Sequence, residues 1–180
     1  MTTSQKRQLA FQPVDANEPE IGRWLWAIND ARQRTLGLLK DMNPAAIDWM
    51  PAEGEHTIGT LLFHIAAIEI SWLGIEVLEG KVDQSVWDAF PYEVRDEQGR
   101  LTIVKGLSLN EHYERFELVR RLLLDTYTSM SLDEFHRPRS FPEYDVTPEW
   151  VLHHLCQHEA EHRSEIGILR SKAEKALSST

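Results

Sequence analysis

Five of the eight histidines stand where imidazoles could act together. Four crowd into the stretch Val151-Leu152-His153-His154-Leu155-Cys156-Gln157-His158-Glu159-Ala160-Glu161-His162, and the fifth, His64, lies within Leu61-Leu62-Phe63-His64-Ile65-Ala66. His158 and His162 are one helical turn apart, so both rings can reach the same ion. At roughly 100° per residue, Val151, Leu155, Ile166 and Leu169 set the apolar stripe of that helix. His162 falls close to the stripe centre and His158 about 40–50° from it. His154 and Glu165 sit further out on the flank of His158, and His153 points to solvent.

A lone inward histidine is most often a core residue bonded to a carbonyl. A stacked pair facing a second helix that carries its own inward histidine favours a metal instead. His64 is the expected third ligand, because a polar ring in so apolar a helix needs a partner. His112, near the apolar face of its own helix but within the first turn, is a lesser candidate. His56 and His136 are expected in loops.

The run His158-Glu159-Ala160-Glu161-His162 also fits the HExxH pattern of zinc proteases, in which the glutamate is the general base. Glu161 is a charged residue where such motifs carry an uncharged one, and no histidine follows His162 to complete the site. Three neutral imidazoles would leave a divalent ion its full charge and an open position. Such a site favours the deprotonated form of a thiol or of water, so thiol transfer and hydrolysis both remain open. Glu165, if it lines the cavity, is the expected proton acceptor or orienting group. The competing reading of Glu165 is a surface carboxylate near Arg163 or Arg170. Imidazole ligands suit Zn2+ and Ni2+ best here, with Fe2+ as a further choice. A structural metal or histidines that bind nothing, in a non-catalytic protein, is the rival from another class.

Four amphipathic segments must position these residues. Asn17-Glu18-Pro19-Glu20 reads as a helix start with Asn17 as cap, and the stripe Ile21, Trp24, Leu25, Ile28, Thr35, Leu38, Leu39, Met42 follows it. The pattern predicts helices near 18–42, 57–79, 108–130 and 147–172. Ser108-Leu109-Asn110-Glu111 is a capping box, and Thr147-Pro148 a cap with proline in the first turn. The second helix is apolar nearly all round and should lie deepest. A connection of about 25 residues, long for a bundle, separates helices two and three, with short strands 92–94 and 101–104 around Gly99. Residues 131–145 read as surface loop. The class is all-α, a four-helix bundle in one domain over 1–180, with 1–16 and 176–180 expected to be poorly ordered.

Composition narrows the function. The 180 residues carry 19 basic and 29 acidic side chains, a net charge of -10, with no basic cluster. Nucleic-acid binding is therefore not expected. No stretch reads as a membrane span or signal peptide. The single cysteine, Cys156, allows no internal disulfide and fits the cytoplasm; it reads as a small buried hydrophobe rather than a nucleophile. Trp24, Trp26, Trp72 and Trp150 read as packing aromatics, one of which could wall a substrate cavity.

Two stretches resemble the DinB/YfiT-like metalloenzyme superfamily. Ile47-Asp48-Trp49 followed by Thr57-Ile58-Gly59 through His64-Ile65 to Glu69 is similar to the family's W…S-I-G-x-x-x-x-H-I-x-x-x-E. Trp150-Val151-Leu152-His153-His154 through His158 to His162-Arg163 is similar to its W-x-L-x-H-x-x-x-H-x-x-x-H-R-G-Q-I. Ser164-Glu165 stands where the family has Gly-Gln. The resemblance implies an up-down four-helix bundle, a homodimer, and a metal on His64, His158 and His162. It also implies a small-molecule substrate, often an electrophile that receives a low-molecular-weight thiol such as bacillithiol or mycothiol; related chains isomerise maleylpyruvate with mycothiol.

Overall fold

The computed structural model describes residue 6, residues 9–52 and residues 56–179. The expectation of disorder for 1–16 and 176–180 falls partly on residues 1–5, 7, 8 and 180, outside the described residues. Among those described, Phe11 packs on Trp26 with ring centres 4.3 Å apart, and the Val14 amide donates to the Gly22 carbonyl at 3.0 Å.

The architecture is all-α. Four long helices carry it: α1 (Pro19–Leu39), α2 (Ile58–Trp72), α4 (Leu109–Thr128) and α6 (Pro148–Leu177). Short helices α3 (Gln84–Trp87) and α5 (Leu132–His136) lie in the connections. The caps explain most starts. The Thr57, Ser108 and Thr147 side chains accept from the amides of Thr60, Glu111 and Trp150, satisfying donors that the first turn leaves free. Asn17 is not the cap expected of it: its side chain donates to the Ser129 carbonyl, tying the start of α1 to the end of α4, and α1 begins without a side-chain cap. Helix α1 also stops at Leu39 rather than 42, where Asp41 turns into the left-handed region at φ 56°. Helix α6 instead runs on to Leu177, past the expected 172.

Helix α2 continues into a π-helical turn, Leu73–Val77, before Glu79 and Gly80 end it with positive φ. By length and composition Ile58–Val77 could span a bilayer, contrary to the reading of the sequence, but most of this helix is buried inside the protein. Its apolar surface is used by the other helices.

Hydrogen bonds fix the helix directions. The Asn17 amide donates to the Thr128 carbonyl, the Tyr127 hydroxyl to the Pro148 carbonyl, and Arg170 to the carbonyls of Leu38 and Lys40. The starts of α1 and α6 therefore lie with the end of α4, and the ends of α1 and α6 lie together. Helices α1 and α6 run one way and α2 and α4 the other. The up-down order holds for α1 and α2, and the long connection carries the chain back so that α4 starts beside α2.

That connection is not the hairpin expected. The strands at 92–94 and 101–104 reduce to one bridge between Arg95 and Leu101, closed by Gly99 at φ 77°. Helix α3 seats Trp87 against Gly74, where a Cβ would come within 2.7 Å of the indole. The 131–145 segment, expected as loop, contains α5 capped by Ser131 and a two-stranded pair, β1 (Arg139–Ser140) with β2 (Asp145–Val146).

The apolar interior of the described residues falls into two large clusters and a small one of Phe63, Ala67 and Val104. One large cluster gathers Leu39, Leu61, Leu62, Ile65, Phe116 and Ile166; the other gathers Leu25, Ile28, Leu73, Leu123, Leu152 and Leu155.

Candidate metal site and its buried support

Each long helix buries one arginine or glutamate side chain: Arg32 on α1, Glu69 on α2, Arg120 on α4 and Glu159 on α6. Arg32 Nε donates to Glu159 Oε1 at 2.8 Å and its Nη2 to Glu69 Oε2 at 2.6 Å. Arg120 Nε and Nη2 grip the two oxygens of Glu69 at 2.9 and 3.1 Å, and Nη2 stands 3.6 Å from Glu159 Oε2. Arg120 Nη1 also bonds the Ile28 carbonyl and Asn29. The Arg32 guanidinium lies over the Phe116 ring, 3.8 Å from its centroid. Two positive and two negative charges cancel, which is the condition for keeping them away from water. Burial pushes the Glu69 carboxyl up, but Arg120 and Arg32 outweigh it and hold it below the usual carboxylate range.

The histidines meet beside this network. His64 on α2 is 4% exposed, and its Nε2 lies 3.1 Å from Nε2 of His158 on α6. Ring centres are 4.9 Å apart for His64 and His162 and 4.5 Å for His158 and His162. One nitrogen from each ring lies within 4.8 Å of the others, a group that could hold a metal ion. Burial, followed by the neighbouring rings, pushes His64 and His158 down to about 3. Both are thus neutral near pH 7, and one Nε2 donates to the other across the 3.1 Å gap. His64 Nδ1 is buried without a partner. An all-imidazole set with closely spaced nitrogens suits a borderline divalent ion.

The other expected residues are placed as follows. Glu165 Oε2 stands 3.5 Å from His162 Nδ1 and 3.2 Å from His56 Nε2. The first distance is a contact rather than a hydrogen bond, and His162 Nδ1 has no bonding partner. His56, read as a loop residue without a role, therefore reaches the rim through Glu165. His154 does not join the group; its ring stacks on Trp150 at 5.0 Å and lies 5.8 Å from that of His158. His112 is buried with both nitrogens unpartnered, away from the cluster, and burial pushes it down to about 4. Arg95, from the long connection, lies near enough to depress His64 and His158 slightly further.

The most buried polar residue of α6 is Glu159, at 2% exposure, so the centre of its inward face lies nearer Glu159 than His162. Glu159 is committed to Arg32 and Arg120 and not to the histidines. The protease-like reading of His158-Glu159-x-x-His162 therefore loses its base. The charge network itself was missed in the sequence. Its signal was there: Arg32 fills the gap in the α1 stripe between Ile28 and Thr35, and Glu69 interrupts an otherwise apolar helix.

The family model of the DinB superfamily matches residues 27–166. That span contains all four network residues and all three clustered histidines. No curated protein matches the chain.

Proposed function

This chain belongs to the DinB superfamily, and on that premise we propose that it is a metal-dependent thiol S-transferase, with His64, His158 and His162 as ligands of one divalent ion. Zn2+ or Ni2+ is the proposed metal, with Fe2+ as a third choice. The observation that carries the reading is the convergence of three imidazole nitrogens within 4.8 Å, with no carboxylate among them. A divalent ion held there supplies a positive charge that favours the anionic form of a thiol. In the transfer the thiol proton would pass to Glu165, sulfur would form a bond to the electrophilic carbon, and the leaving group would depart with its electron pair. Glu165 Oε2, 3.5 Å from His162 Nδ1, would also orient that ring once the contact shortens to a hydrogen bond. The Arg32–Glu69–Arg120–Glu159 network holds α2 and α6 at fixed spacing, so the rings keep their geometry without the ion.

Glu159 is held by two arginines and is not free to activate water, which leaves Glu165 as the proton acceptor in this reading. With this reading go a small-molecule substrate, a homodimer, no nucleic-acid or membrane partner, and the cytoplasm, which suits the unpaired Cys156. The test incubates Zn2+- and Ni2+-loaded protein with a panel of low-molecular-weight thiols and a chromogenic electrophile, beside His158→Ala. Thiol-dependent turnover lost in the variant supports transfer. Turnover equal to the variant for every thiol, with ester hydrolysis instead, hands the site to a hydrolase. No metal uptake refutes both.

A further inference from the structure

The aromatic residues next to the histidines form a feature that the proposed transfer does not use. Trp72 on α2, Trp150 on α6 and Tyr144, just before β2, converge on a cavity of about 470 Å3 completed by Asp145, Val146 and Thr147. Ring centres are 5.2 Å apart for Trp72 and Trp150 and 6.1 Å for Trp72 and Tyr144. That volume suits a small organic molecule. Trp150, expected as a packing aromatic, is 46% exposed and Tyr144 42%, so both rings can be reached from solvent. His154 stacks on Trp150 with 7° between the planes and so fixes the indole as a wall.

The charge of the cavity is one-sided. Asp145 lines it and no lysine or arginine does. Behind Tyr144 lies Glu76, 7% exposed, which accepts the Tyr144 hydroxyl on Oε1 at 2.8 Å. Its Oε2 is buried with no partner, a cost that a nearby cation would relieve. Glu76 sits in the π-helical turn Leu73–Val77, and such turns occur often at functional sites. Aromatic faces are themselves electron-rich and attract cations. A net charge of -10 acts in the same direction at longer range.

We propose that this cavity binds a small organic cation, a quaternary or aryl ammonium ion, against Trp72, Trp150 and Tyr144, with Asp145 and Glu76 as countercharges. A neutral ring would gain the aromatic contact alone, and an anion would meet Asp145 in the wall with Glu76 behind Tyr144. The site does not depend on which reaction the histidines perform. His154, whose ring touches both Trp150 and His158, places the bound cation beside them.

The test is calorimetric titration of the full chain with benzyltrimethylammonium, beside its neutral isostere neopentylbenzene. The cation should bind about tenfold more tightly than the isostere. Trp150→Ala should weaken it about tenfold and Asp145→Asn about fivefold. Both positions are exposed, so the fold should survive, and a circular dichroism melt checks that. Equal affinity for cation and isostere, or cation affinity unchanged in both variants, overturns the proposal. Absence of thiol turnover leaves this titration unaffected, so the two readings fail separately.

Discussion

Replacing Glu159 by glutamine keeps the shape of the side chain and removes one of four buried charges. Arg32 then loses its 2.8 Å charged partner, Arg120 loses a carboxylate at 3.6 Å, and the buried set changes from neutral to one net positive charge. Breaking a buried ion pair from one side costs about 3–5 kcal/mol. The remaining Glu69, gripped by both arginines, and the amide oxygen of the new glutamine offset part of this, so the expected loss is near the lower end, about 3 kcal/mol. For a domain of this size that lowers Tm by about 6–12 °C. The assay is urea denaturation and thermal melting of Glu159→Gln beside wild type, with metal content measured on both. Metal content should be unchanged, because Glu159 faces the arginines. Adding Arg32→Met to Glu159→Met should cost less than the sum of the single changes, by more than about 1 kcal/mol, since the double variant leaves Glu69 and Arg120 paired. A Tm within about 2 °C of wild type, or a double variant that is simply additive, would refute the reasoning. So would full stability combined with lost activity, which is the signature of a general base.

Three further outcomes follow from the same geometry. His64→Ala should abolish stoichiometric binding of Zn2+ or Ni2+ by elemental analysis, whereas His112→Ala should retain it. Metal-free protein should lose stability as pH falls from about 6.5 toward 3, because the unfolded imidazoles take up protons there while His64 and His158, held down to about 3, do not; a urea midpoint independent of pH across that window would contradict this. Cys156, pushed up to about 12 by burial, should react far more slowly with a thiol reagent near neutral pH than the unfolded chain does.

Periodicity and capping chemistry made four helices, their order and three of their starts legible in the amino-acid sequence. They rest on local rules, the 3.6-residue stripe and a hydroxyl three residues before an amide. The pairing of His158 with His162 was legible for the same reason: one turn separates them whatever surrounds the helix. His64 as their neighbour was an inference from its apolar setting. Three features were decided only by the tertiary structure. The direction of α4 depends on the path of the long connection, where glycine turns and Trp87 packing outweigh strand propensity. The role of Glu159 depends on Arg32 and Arg120, which are far away in sequence, so the local pattern around it suggested a catalytic base where long-range pairing made a structural carboxylate. The cavity at Trp72, Tyr144 and Trp150 draws on three separate segments. A local pattern states which residue types could act, and only packing states which of them are already committed to one another.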